Sequence, residues 1–328
     1  MNEITNPGEK KLALITGSAH PQLAEEIAHE LGTELLPKGS YQFASGETYV
    51  RFEESVRGAD VFVIQAHPFP VNEWLIEQWL MLDAAKRASA QSITAVSPFY
   101  PYARQDKKHK GREPISARWA ADVYKTSGAQ RLMSVDLHTA QIQGFFDGPV
   151  DHLMAIPLLA EHVRKTAEDV ANVTVVSPDT GRVRVAEQWA ELLGGAPLAF
   201  VHKTRDINVP NKAESKTVVG DIKGRTCVLI DDMIDTGGTI AGAVKVLKDH
   251  GAKDVIIAAT HPVFSDPAVE RLSKCGAREV IVTNTLPVPE EKRFENLTVL
   301  SIAPLIARAI QEVFEEGSVT SLFDGRAN

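Results

Sequence analysis

Short, uninterrupted apolar runs recur along this chain, each separated from the next by a stretch of helical period. A strand that alternates apolar and polar residues keeps one wet face, whereas a strand that is apolar throughout is covered on both faces. The runs Leu12–Thr16, Val61–Gln65, Ile93–Ser97 and Leu132–Asp136, then Val173–Ser177, Thr226–Ile230, Val255–Thr260 and Glu279–Thr283, are of the second kind. Between them the spacing predicts helices over Pro21–Leu31, Val71–Ala88, Ile115–Ser127 and Ile240–His250, with glycines at 32, 128 and 251 stopping three of them. The helix over Val71–Ala88 carries an apolar stripe at Leu75, Trp79 and Leu82. Doubly buried strands alternating with helices predict an α/β fold, a mostly parallel sheet flanked by helices.

At 328 residues the chain is long enough for two such domains, since domains commonly run to about 150 residues. The division is expected near Asp151–Pro157, giving 1–154 and 155–303, with a closing helix within 304–323 that can pack on either. A weak echo between Val63–Pro68 and Ile257–Pro262 suggests that the two domains are similar. A net charge of −8 argues against a nucleic-acid or anionic-membrane surface and favours small phosphorylated ligands. The first ten residues are polar and no apolar run approaches the ~18 residues of a membrane span, so a cytoplasmic protein is expected. Two cysteines far apart, Cys227 and Cys275, suit neither a disulfide framework nor a thiolate metal site.

The chemistry gathers where strands end. After the apolar run Val228–Ile230 come Asp231 and Asp232, placed to accept hydrogen bonds from neighbouring sugar hydroxyls. Asp235, Thr236, Gly237, Gly238 and Thr239 come next, small residues whose backbone can curl around an anion at the start of a helix. That combination points to a ribose 5-phosphate group; an ordinary turn with solvated aspartates is the plainer alternative. No G-x-x-x-x-G-K-[ST] occurs, which removes the common nucleotide loop as an explanation. The stretch from Pro98 to Arg112 is densely basic and suits a polyphosphate, with Arg104 and Gln105 nearest the strand end. Asp136 and His138 would share a face if extension continues past the run that precedes them, and His138 can serve a metal–nucleotide complex. Asp179 ends another apolar run and offers a carboxylate of the kind Mg²⁺ accepts alongside phosphates and water. Lys203 and Arg205 open a polar stretch that reads as a loop carrying cations over transferring phosphates.

Taken together these segments resemble the ribose-phosphate pyrophosphokinase family, over about Phe43 to Phe323. The most specific stretches are Glu54–Gly58, Tyr102–Asp106, Asp136–His138 with Gln141–Phe146, and Asp231–Thr239. The resemblance implies two type I phosphoribosyltransferase-like domains and transfer of the diphosphoryl group of Mg-ATP to the C1 hydroxyl of ribose 5-phosphate. By motif it assigns ribose 5-phosphate to Asp231, Asp232, Asp235, Thr236, Gly237, Gly238 and Thr239, and ATP to Arg104 and Gln105 with Phe43 and Glu47 of a neighbouring subunit. It assigns Mg²⁺ to His138 and Asp179 and catalysis to Lys203 and Arg205. It further implies a homohexamer whose ATP site is shared between subunits, with phosphate and ADP as effectors acting through Ser55, Arg57, Lys108, Arg112 and Ser318. Three positions depart from the pattern: Ser45 replaces the usual Asp or Asn, His109 stands where members vary, and Arg182 replaces a glycine. A phosphoribosyltransferase that consumes the same product, and a catalytically silent regulatory subunit of the same fold, are the alternatives.

Overall fold

A computed structural model describes residues 10–178, 182–204 and 215–323, with 202–204 and 215–216 described by backbone alone. The chain divides into two compact units, one made of the residues up to Leu153 together with those from Ile302 onward, the other of Met154–Ser301.

The first unit begins with β1 (Lys11–Thr16), α1 (Pro21–Glu30) and an antiparallel hairpin of β2 (Lys38–Gln42) and β3 (Thr48–Phe52). It continues with β4 (Ala59–Ile64), α2 (Val71–Arg87), β5 (Ser92–Val96), α3 (Ser116–Ser127), β6 (Arg131–Val135) and β7 (Val150–Leu153). Five strands form a wholly parallel sheet in the order β1-β4-β5-β6-β7. Along β4, Val61 and Val63 point to one face and Phe62 and Ile64 to the other, and all four are buried. The predicted stripe Leu75, Trp79 and Leu82 of α2 joins the core over the Val61 and Val63 face, where Trp79 meets Trp119 and Tyr124 edge to face. Each fully buried side chain of this size contributes about 1.5–3 kcal/mol relative to exposure.

The second unit runs α4 (Ile156–Thr166), β8 (Val173–Ser177), α5 (Val183–Leu192), β9 (Leu198–Thr204), β10 (Ser215–Val219), β11 (Thr226–Ile234) and α6 (Gly238–Asp249). It closes with β12 (Asp254–Pro262), α7 (Ala268–Lys274), β13 (Glu279–Thr283) and β14 (Leu297–Leu300). Its sheet has seven strands in the order β10-β9-β8-β11-β12-β13-β14, and only the edge strand β10 runs antiparallel to its neighbour. The last helix, α8 (Ala303–Phe314), packs on α1 and belongs to the first unit.

The two sheets share a five-strand parallel pattern, β1-β4-β5-β6-β7 in one and β8-β11-β12-β13-β14 in the other. The echo between Val63–Pro68 and Ile257–Pro262 departs from that pattern, because it aligns β4, beside the first strand, with β12, one place further along. The likeness of the units therefore lies in strand order and not in that string of residues. Two strands also run longer than their apolar stretches: β11 carries on through Asp231 and Asp232 to Ile234, paired along its length with β12 by Asp231↔Ala259 and Met233↔His261. Cys227 and Cys275 are both free thiols, and burial pushes the Cys227 thiol up to about 12.

The hairpin is tied to the first unit by an ionic cluster. Glu77, on α2, accepts hydrogen bonds from Ser18 N (2.9 Å), Ser18 Oγ (2.6 Å), Ser40 Oγ (2.8 Å), Gln65 Nε2 (2.6 Å) and Lys38 Nζ (2.9 Å). Burial alone would raise its pKa, but the Ser18 hydrogen bonds and the Lys38 ammonium outweigh that and hold it at about 2. A carboxyl held below its unfolded value stabilises the fold above that value and ceases to do so as pH falls through the folded one. Acid titration of unfolding is therefore expected to show wild-type stability declining between pH 4.5 and about 2, a decline that is shallower in Glu77→Gln. The same variant leaves Lys38 without its carboxylate and is expected to lose about 3 kcal/mol at neutral pH, measured by urea unfolding.

Candidate active site

In the second unit β11 delivers two adjacent carboxylates near its C-terminal end, the edge where ligands bind in open α/β sheets. Asp231 Oδ1 accepts the backbone N–H of Asp232 at 2.9 Å, which folds the first carboxylate back towards the second. Arg182, at the start of α5, grips both: its Nε lies 3.2 Å from Asp231 Oδ1 and its Nη2 2.6 Å from Asp232 Oδ1. Burial and the neighbouring Asp232 raise the Asp231 carboxyl well above the usual range, and Arg182 opposes them.

The chain then turns through Asp235 and Thr236 into Gly237, which caps α6 in the left-handed conformation at φ 71°. That angle, more than space, calls for glycine, since a Cβ there would make only ordinary contacts with Ala268 and Leu272. Gly237 brings no side chain to cap the helix, so the first-turn N–H groups of Gly238, Thr239 and Ile240 have no partner from the capping residue. Thr239 accordingly lies in the first turn of α6. Arg271, on α7, steadies the turn by donating from Nη1 to the Thr236 carbonyl at 2.9 Å. Amides at the positive end of a helix dipole, beside a pair of carboxylates, suit a ligand with phosphate at one end and hydroxyls at the other.

In the first unit the basic loop lies between β5 and α3. Arg104 and Gln105 are both exposed. Gln105 is oriented by its own carbonyl, which accepts from Ala117 N at 3.1 Å, and by Ser116 Oγ, which donates to its Oε1 at 2.7 Å. Beneath them Asp106 is buried and accepts from Thr139 Oγ1 (2.8 Å) and Gln141 Nε2 (2.6 Å). Local sequence pattern assigns Asp106 no role, although its place as the only acid between Tyr102 and Arg112 is a usable signal. Further on, Glu113 accepts from the backbone N–H groups of His109 and Lys110 and turns the exposed cations outward.

His138 sits differently from expectation. Extension stops at Val135 and Asp136 takes φ 37°, so the two side chains are not carried on one continuing strand. Leu137 between them is buried, and its N–H donates to His152 Nε2 at 2.9 Å, a contact that anchors the turn bearing His138. Phe43 and Glu47 lie at the tip of the β2–β3 hairpin, closed by Phe43 N–H to the Glu47 carbonyl at 2.8 Å. Ser45, one of the departures, donates to Glu47 Oε2 at 2.8 Å, and Phe43 is 47% exposed beside Tyr41 and Tyr49.

Ser55 and Arg57 are exposed just before β4, with Ser55 Oγ accepting from Arg57 N–H at 3.4 Å, while Lys108 and Arg112 are exposed in the basic loop. Ser318 lines a cavity of about 430 Å³ after α8, together with Arg131 and Asp151. Asp179 and Arg205 lie outside the described residues, as does the side chain of Lys203, whose backbone belongs to β9. Among the described residues no group of three or more His, Cys, Asp or Glu gathers as a metal cage, and no helix is long and apolar enough to cross a membrane.

Parallel sheets whose strand ends carry an acidic pair with a glycine-capped helix start, and in the other unit a basic loop, define an α/β enzyme of small phosphorylated molecules. Residues 12–128 match the model for the N-terminal domain of ribose phosphate pyrophosphokinase, and residues 195–324 match the phosphoribosyl synthetase-associated domain. The chain is 66% identical over 318 residues to a ribose-phosphate pyrophosphokinase of Mycobacterium tuberculosis, covering 97% of each chain. It is 60% identical over 324 residues to the one from Streptomyces coelicolor, covering 99% of each. The crystal structure of phosphoribosylpyrophosphate synthetase from Mycobacterium smegmatis superposes with a TM-score of 0.89 at 63% identity, covering 94% of this chain and 100% of that one. The chain belongs to the ribose-phosphate pyrophosphokinase family.

Because Gly237 is left-handed, Gly237→Ala is expected to destabilise the protein by about 1 kcal/mol or more in urea unfolding.

Proposed function

We propose that this enzyme transfers the diphosphoryl group of Mg-ATP to the C1 hydroxyl of ribose 5-phosphate, giving 5-phosphoribosyl 1-diphosphate and AMP. The observation that carries this reading is the end of β11, where two sheltered carboxylates lead directly into a left-handed glycine cap at the start of α6. The 5-phosphate occupies the turn Asp235–Thr239, and Asp231 and Asp232 accept from the sugar hydroxyls, which leaves the C1 hydroxyl exposed. That hydroxyl forms a bond to the β-phosphorus of ATP, the bond from the β-phosphorus to the α,β-bridging oxygen breaks, and the hydroxyl proton is lost. Catalysis is by positioning and charge, as is usual when phosphoryl groups move.

Arg104 and Gln105 bind ATP, with Phe43 and Glu47 of a neighbouring subunit completing the adenine site. The exposed Phe43 ring supports that role, since an aromatic face held at a hairpin tip suits a base. Mg²⁺ would be held by His138 and Asp179 together with substrate phosphates, and when bound it neutralises phosphate charge. Mg²⁺ commonly keeps water and phosphate in its shell and takes only one or two protein ligands. Lys203 and Arg205 stabilise charge that builds near the β-phosphorus.

The working form is a cytoplasmic homohexamer activated by phosphate and inhibited by ADP, with Ser55, Arg57, Lys108, Arg112 and Ser318 in the regulatory contacts. Exposed Tyr41, Phe43, Ile76, Leu80 and Trp119 support association of the first unit with further copies.

Incubation of the purified protein with Mg-ATP and ribose 5-phosphate is expected to yield AMP and 5-phosphoribosyl 1-diphosphate, separated by anion-exchange chromatography. ADP as the nucleotide product, or no turnover with or without added phosphate, would contradict the reading. Lys203→Ala is expected to lower kcat by on the order of 10²–10³ while ribose 5-phosphate still binds. A near-normal rate would remove Lys203 from the mechanism.

A further inference from the structure

The contact between Arg182 and the acidic pair has no part in the roles above. Arg182 is the N-cap residue of α5, so its backbone is set where the helix begins and its side chain reaches across to β11. The guanidinium makes a two-pronged contact, Nε to Asp231 at 3.2 Å and Nη2 to Asp232 at 2.6 Å. All three side chains are sheltered, at 16%, 19% and 6% exposure for Arg182, Asp231 and Asp232.

Two carboxylates side by side with so little water repel each other and need a cation near them. Sugar hydroxyls are neutral donors and bring no charge, while the phosphate of the same ligand brings more negative charge. Arg182 is a counter-ion already resident in the chain, in contact with both carboxylates. Arg182 approaches the Oδ1 atom of each carboxylate, and Asp232 N–H donates to Asp231 Oδ1.

We propose that Arg182 is a positioning residue for sugar recognition, a built-in counter-ion that fixes both carboxylates in the orientation in which they accept hydroxyls of ribose 5-phosphate. This rests on the reading of the β11 end as the ribose 5-phosphate site. A guanidinium that instead plugged the site would compete with the sugar, and its removal would tighten binding. The two roles differ in sign.

The test is calorimetric titration of the full-length protein with ribose 5-phosphate, and separately with Mg-ATP, for wild type, Arg182→Gln and Arg182→Lys. Arg182→Gln is expected to weaken ribose 5-phosphate binding at least ten-fold while Mg-ATP binding stays within two-fold. Arg182→Lys keeps the charge without the planar fork and is expected to weaken it only two- to five-fold. Unchanged or tighter ribose 5-phosphate binding in Arg182→Gln overturns the proposal, as does an equal loss of Mg-ATP affinity. Should Arg182→Gln fail to fold, Arg182→Lys decides alone, with wild-type or tighter binding counting against it. Failure of the wild type to bind ribose 5-phosphate would instead overturn the assignment of the site itself.

Discussion

The inner parallel strands of both sheets bury side chains on each face, so polar chemistry is left to the strand ends. In the first unit β4 hides Val61 and Val63 on one side and Phe62 and Ile64 on the other. In the second, β11 is buried from Thr226 to Ile230 before its first carboxylate. Beyond each strand end lies a turn in which backbone amides, carboxylates and guanidinium groups are held by a rigid sheet. The Asp231 to Thr239 segment is the fullest case, since one strand end supplies two acids, a left-handed turn and the positive end of a helix.

An ionic cluster largely withdrawn from water surrounds Glu77 in the first unit and Arg182 in the second, and the two are built differently. Around Glu77 a single carboxylate takes hydrogen bonds from Ser18, Ser40 and Gln65 as well as the Lys38 ammonium, so its charge is fully solvated by protein and its pKa falls. Around Arg182 one cation faces two carboxylates, and burial with mutual repulsion raises the Asp231 carboxyl. The first arrangement is that of a structural tie, fastening the hairpin that bears Phe43 and Glu47 to α2. The second holds two acids together at a strand end through one guanidinium.

Much of this was legible in the residues. The runs Val173–Ser177 and Glu279–Thr283 coincide with β8 and β13 because strands buried on both faces are apolar throughout. The end of β11 was harder to read, since charge ordinarily marks the end of a buried strand, whereas here pairing to β12 continues past Asp231 and Arg182 balances the acids. The hairpin β2–β3 gave little signal, because Lys38–Gln42 and Thr48–Phe52 are half-exposed and mixed in character. Asp106 lay within a stretch resembling the family without a role of its own, and Arg182 stood out only as a departure from the family pattern. What each one touches, Thr139 and Gln141 in one case and the acidic pair in the other, depends on tertiary contacts that no local pattern encodes.

The central claim is that an acceptor held at the end of β11 attacks the β-phosphorus of ATP. Its most direct test uses ATP labelled with heavy oxygen in the α,β-bridging position, with the products read by mass spectrometry. Attack at the β-phosphorus predicts that the label leaves entirely with AMP and that the 5-phosphoribosyl 1-diphosphate carries none. Label recovered in the diphosphate group would place the broken bond on the other side of the bridging oxygen and contradict the account.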